Sequence, residues 1–235
     1  MIPLRVFIGY DSREPVAYHV FVHSILRRAS VPIAVTPLVR ASLTHLYARE
    51  RSPLESTEFA LTRFLVPALC QYEGTALFVD SDMLCRVDIA ELWDAALGPP
   101  SFARERLCPD QALWVCQHDY TPKAQAKMDG RVQTAYPRKN WSSLMLFNNE
   151  RCRALTPDYV NSATGLELHR LAWLTDRQVG SLPLEWNYLV DEPGQALEPP
   201  KIVHFTNGGP WFPEYADVEF ADDWRDEFRS MTGGS

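Results

Sequence analysis

The stretch GTALFVDSDMLCRVDIAELW, residues 74–93, sets an apolar run of strand length directly before two aspartates, Asp80 and Asp82, with Ser81 between them. ALFVD (76–80) reads as a buried strand, and DIAELWDAAL (88–97) as a helix following the DSD turn. Two carboxylates that close repel one another, and the mouth of a sheet desolvates them, so a positive group is expected between them. In open α/β sheets, ligands bind beyond the carboxyl ends of the strands, which is where this turn would fall. Oxygen ligands on a short turn suit a hard divalent cation such as Mn²⁺ or Mg²⁺, its shell completed by phosphate oxygens and water. The competing reading is an ordinary turn whose aspartates cap the next helix.

The flanking segments extend the same alternation. LRVFIG (4–9) reads as a strand closed by glycine, and EPVAYHVFVHSILRRA (14–29) as a helix with proline at its start and arginines at its end. PIAVTPLV (32–39) reads as a second strand, and STEFALTRFLVPALCQY (56–72) as an amphipathic helix capped by Ser56 or Thr57. ALWVC (112–116), SLMLF (143–147) and KIVHF (201–205) read as later strands, with one or two short helices over 158–174 and a loop over 192–200. Strand and helix in alternation predict a doubly wound α/β sheet in a single domain over 1–235. Its nucleotide-binding half spans about 1–100, and its acceptor-shaping half about 101–230.

Composition narrows the partners. Apolar residues make up 46% and charged residues 23% of the 235, an ordinary globular balance, and the net charge of −7 argues against a nucleic-acid scaffold. Five cysteines (Cys70, Cys85, Cys108, Cys116, Cys152) without CxxC spacing suggest neither a zinc knuckle nor a disulfide framework, and point to a cytoplasmic protein. The N-terminus lacks the layout of a signal peptide, and the acidic end DVEFADDWRDEFRS would be repelled by an anionic bilayer, so no stable membrane insertion is expected.

The pattern LFVDSDMLCRVDIAELW, together with VFIGYDSREPVAYHVFVHSIL, STEFALTRFLVPAL, NWSSLMLFN, LPLEWNYL and IVHFTNGGPWF, resembles glycosyltransferase family 8 over about residues 4–215. These are nucleotide-sugar transferases of the GT-A fold, a mixed sheet flanked by helices. The resemblance implies a metal-dependent transfer of a hexose from a UDP-sugar to an acceptor hydroxyl, with retention. It implies Asp80, Asp82 and His204 as metal ligands, a set that favours Mn²⁺ over Mg²⁺, with Arg63 and Asp82 at the reacting groups. Gly9, Tyr10 and Asp11 would hold the base and ribose, Tyr10 by stacking and Asp11 by hydrogen bonding. Arg63, Asp80, Ser81 and Asp82 would face the donor, and the amides of Gly208 and Gly209 its diphosphate.

For the acceptor, the polar stretch 116–141 offers His118 and Asp119, among Lys123, Lys127, Asp129, Arg138 and Lys139. Trp186 and Trp211 are candidate platforms for sugar rings. The chain departs from the family in carrying Gly209 where a lysine precedes Pro-Trp, and in offering only LTDRQVGSLP around Asp176 and Gln178 for an Asp-Gln pair. Two other functions are compatible with a D-x-D turn: a non-catalytic sugar-nucleotide or glycan-binding module, and a metal-dependent phosphotransferase or phosphatase. The latter wants its motif after the first strand, with Thr or Val following; here Met83 and Leu84 follow the third strand.

Overall fold

The computed structural model describes residues 2–52, 55–98, 110–119, 126–127, 131–132, 138–195 and 197–234. Cys108, Lys123 and Asp129, together with the side chain of Lys127, lie outside the described part.

Eleven strands are described: β1 (Leu4–Gly9), β2 (Ile33–Leu38), β3 (Thr75–Val79), β4 (Met83–Cys85), β5 (Leu113–Cys116), β6 (Ala126–Lys127), β7 (Arg131–Val132), β8 (Leu144–Asn148), β9 (Val179–Leu182), β10 (Tyr188–Leu189) and β11 (Ile202–His204). The helices are α1 (Pro15–Arg28), α2 (Val66–Leu69), α3 (Ala90–Leu97), α4 (Pro157–Ser162), α5 (Gly165–His169) and α6 (Ala221–Thr232). The main sheet runs β2-β1-β3-β8-β5-β9. Strand β1 is parallel to β2 and β3, β8 is antiparallel to both its neighbours, and β9 is parallel to β5, so the sheet is mixed.

The central strands β3, β8 and β5 are buried on both faces, which explains why they read as unbroken apolar runs. Along β1, β3 and β8 the side chains alternate: Val6, Ile8, Leu77, Val79, Leu144 and Leu146 face one way, with Tyr18, Phe21 and Ile25 of α1 and Trp93 of α3. Phe7, Phe78, Met145 and Phe147 face the other, against Phe59, Phe64, Leu65, Val160 and Leu168. Strands β4, β9 and β10 went unread in the sequence because two to four residues cannot establish a period.

One expected helix is largely absent. Over 56–72 the chain forms only a 3-10 turn, Thr62–Leu65, and the four-residue α2. Two causes are visible. Residues 59–67 are all buried, so there is no polar face to make an amphipathic helix. Pro67 also cannot donate to the carbonyl four residues back, which restarts the helix at Val66. Phe59 packs flat on Gly9, where a Cβ would stand 2.3 Å from its ring.

The acidic C-terminal segment is a helix, α6, docked on α1. Glu227 is 3% exposed and meets Arg28 at 2.8 Å and His23 at 2.6 Å. The arginines ending α1 therefore neutralise a buried carboxylate as well as the helix terminus. Among the described residues no helix is long and apolar enough to cross a membrane.

Candidate metal centre

Strand β3 delivers Asp80 at its carboxyl end, and β4 begins one residue after Asp82. Strand β4 then pairs antiparallel with β11 in a small second sheet, in a register that sets Met83 opposite His204. The Phe205 amide extends the ladder by donating to the Asp82 carbonyl at 2.9 Å. This register brings His204 to the DSD turn. Asp80, Asp82 and His204 each offer a ligand atom within 4.8 Å of the others, and His204 Nε2 lies 3.3 Å from Asp82 Oδ1.

Each ligand is held from behind. Arg63 Nη1 lies 2.8 Å from Asp80 Oδ1 and donates to the Ser142 carbonyl at 2.8 Å, while its guanidinium carbon sits 4.9 Å from the Phe78 ring centroid. The Asp80 amide donates to the Ser143 carbonyl at 2.9 Å. Arg63, expected to face the donor sugar and phosphate, is 5% exposed and is turned onto Asp80.

His204 is oriented by Asn187, a residue the sequence reading did not single out. Asn187 is fully buried; its Nδ2 donates to Ser143 Oγ at 2.9 Å and to the Asn140 carbonyl at 3.4 Å. A carbonyl only accepts, so the amide orientation is settled and Oδ1 is the atom 2.9 Å from His204 Nδ1. Nδ1 therefore carries the hydrogen, and Nε2 faces Asp82 Oδ1 with its lone pair or a second proton. Two acceptors 3.3 Å apart need a proton or a cation between them. This oxygen-and-imidazole set fits a divalent ion. Asn187→Leu is expected to weaken Mn²⁺ binding by about 10–100-fold, because it removes the acceptor that holds His204 Nδ1. Calorimetry checks the affinities, and ¹⁵N NMR of the metal-free protein checks the tautomer. A wild-type affinity for the leucine variant would refute the role.

The first loop is more self-contained than expected. Asp11 is fully buried and accepts from Arg13 Nε at 2.8 Å, Arg13 Nη2 at 2.6 Å and the amides of Arg13 and Glu58. Burial raises its pKa, and the hydrogen bonds and charge of Arg13 more than offset that, leaving it below the usual carboxylate value. Its oxygens are held by the loop itself. Tyr10 is half-buried at the end of β1, edge-on to Tyr18. Ser81 is fully buried, and its hydroxyl has no hydrogen-bond partner.

The glycines after His204 answer to packing. At Gly208, φ is 141° and a Cβ would lie 2.5 Å from the Tyr215 ring; at Gly209 it would lie 2.1 Å from Trp211. The Gly208 amide donates inward to the Phe205 carbonyl at 2.9 Å, which leaves it unavailable to a diphosphate.

The acceptor candidates separate. Trp186 is fully buried under the sheet with the Lys201 ammonium 4.8 Å from its ring centroid, so it is a core residue and cannot stack on a sugar. His118 is 5% exposed at the end of β5; burial and the neighbouring His204 imidazole push its pKa down to about 4. It is a neutral imidazole in the wall beside the metal ligands. Asp119 is exposed. Trp211 is half-buried against Phe205, Phe212 and Trp224. Gln178 closes a capping box with Thr175, and Asp176 is an exposed partner of Arg138, so neither joins the site.

The fold and the cluster together define a GT-A-like α/β protein with an Asp-Asp-His centre at the carboxyl edge of its sheet. The galactosyltransferase LgtC, solved with donor and acceptor sugar analogues, superposes with a TM-score of 0.61 at 13% identity, covering 97% of this chain and 96% of LgtC. The bifunctional glycosyltransferase WbbM gives 0.65 at 15% identity over 99% of this chain, which spans about half of WbbM (52%). Mouse xyloside xylosyltransferase 1 gives 0.53 at 14% identity, covering 87% of this chain and 98% of that enzyme. At such identities the likeness is one of fold. In sequence the chain is 48% identical over 235 residues to Protein CDI of Arabidopsis thaliana, covering 96% of this chain and 86% of that protein, and it belongs to the family of that protein. No protein-family model matches.

Proposed function

We propose that the protein is a metal-dependent glycosyltransferase of the family 8 type, moving a hexose from a UDP-sugar to the hydroxyl of a glycan or other acceptor. The observation that carries this reading is the convergence of Asp80, Asp82 and His204 within 4.8 Å on a fold shared with LgtC. Mn²⁺, or Mg²⁺ in its place, would be held by these three side chains; when bound it supplies Lewis-acid neutralisation of the departing diphosphate. Arg63 keeps the Asp80 carboxylate in place from the core side, and Asn187 keeps His204 Nε2 turned to Asp82. The first half of the chain holds the nucleotide, with Tyr10 beside the base and Ser81 toward the donor, and the second half shapes the acceptor site, with His118 in its wall and Trp211 at its rim. Among the described residues no side chain in the site stands out as a nucleophile, which favours attack by the acceptor on the face the diphosphate leaves, with retention. The absence of CxxC spacing and the four free, buried cysteines fit a cytosolic setting.

A second reading, a sugar-nucleotide-binding module without turnover, is favoured by Gly209 in place of lysine and by Asp176 and Gln178 lying away from the site. The test is calorimetric titration of UDP with Mn²⁺ and with EDTA, then incubation with UDP-sugars. Mn²⁺-dependent binding with release of UDP supports the transferase, binding without turnover supports the module, and silence toward every nucleotide overturns both.

A further inference from the structure

Glu14 stands where α1 begins, beside the first loop, and does nothing for the helix: its side chain makes no capping hydrogen bond. It is 2% exposed. One carboxyl oxygen, Oε2, accepts from Trp211 Nε1 at 3.1 Å, which ties the first loop to the loop after His204. The other, Oε1, is buried with no hydrogen-bond partner among the described residues. Burial, then the like charges of Asp82 and Asp11, push the carboxyl up to about 9, against the Trp211 hydrogen bond and the charge of Arg13, which is itself bonded to Asp11. A buried polar atom left unpaired is costly, and the Trp211 bond sets this one between the first loop and the loop that follows His204.

The chemistry of the missing partner can be narrowed. A phosphate repeats the charge of Asp82 and Asp11, and because it only accepts it can meet the carboxyl in the protonated state alone. A divalent cation has its own cluster, whose ligand atoms lie within 4.8 Å of one another and do not include Glu14. A hydroxyl both donates and accepts, and so satisfies the carboxyl in either protonation state.

We propose that Glu14 Oε1 binds a hydroxyl of the nucleotide-sugar donor, on its ribose or its hexose, an assignment that rests on the transferase reading above. The experiment titrates UDP, 2′-deoxy-UDP, 3′-deoxy-UDP and UDP-glucose, with Mn²⁺, into the wild type, Glu14→Ala and Glu14→Gln, each first shown to unfold cooperatively. For a ribose hydroxyl, one deoxy analogue binds the wild type about tenfold more weakly than UDP, and Glu14→Ala no longer distinguishes them. For a hexose hydroxyl, Glu14→Ala leaves UDP unchanged and weakens UDP-glucose about tenfold. Glu14→Gln, which keeps an acceptor for Trp211 and an N–H for the hydroxyl, stays within about threefold of wild type in either case. A wild type that binds while Glu14→Ala matches it in every affinity overturns the proposal alone, as does a glutamine variant as weak as the alanine one. A wild type silent to all four ligands overturns the transferase reading and this assignment with it.

Discussion

Asp82→Ala is expected to lower the affinity for Mn²⁺, and with it Mn²⁺-dependent UDP binding, by more than about a hundredfold, since loss of a mere outer partner of a ligand already costs 10–100-fold. Asp82 Oδ1 is the oxygen facing His204 Nε2 at 3.3 Å, so its loss removes one of the three side chains that would hold the ion. The fold should be unaffected. The β4–β11 junction uses the Asp82 carbonyl, which accepts from the Phe205 amide whatever the side chain. In the metal-free protein, moreover, removing one of two neighbouring carboxylates relieves repulsion. Calorimetry with Mn²⁺ and UDP, beside a thermal melt of the metal-free variant, checks both halves. Binding within tenfold of wild type would show that the DSD turn serves the β4–β11 junction and not a metal.

Arg63→Ala produces the largest expected loss of stability, about 3–5 kcal/mol, because it leaves the Asp80 carboxylate without its buried partner and empties a site between two phenylalanine rings. The guanidinium also serves the Ser142 carbonyl, which would be orphaned in the core. For a chain of this size that corresponds to a fall in Tm of roughly 10 °C. Arg63→Lys retains the charge but lacks a planar fork able to reach Asp80 and Ser142 while lying on Phe59 and Phe78, and it should recover only part of the loss. Denaturant unfolding of the three proteins decides the matter; a cost below about 1 kcal/mol for the alanine variant would show that the pair is not a structural requirement.

The legibility of this protein divides along the range of the interaction. The strands at 4–9, 33–38, 75–79, 113–116, 144–148 and 202–204 and helix α1 could be located because each carries its own apolar pattern, which burial of both faces makes an unbroken run in the central strands. The Asp80–Asp82 turn was visible for the same reason: it ends such a run. His204 was visible only through resemblance, since nothing local in KIVHF marks a ligand.

What tertiary structure alone decided are the pairings between distant segments. Arg63 looked like one face of an amphipathic helix, but Pro67 and a wholly buried stretch leave no such helix and turn the guanidinium onto Asp80. Trp186 has the composition of a sugar platform and sits beneath the sheet. Asn187 lies one residue further on, in LEWN, and becomes the orienting partner of His204 only through the parallel pairing of β10 with β11. The periodicity of a chain records which residues are buried, because burial repeats with the element. It does not record which distant strands pair or in what register, and that pairing is what brought Asp82, His204 and Asn187 together.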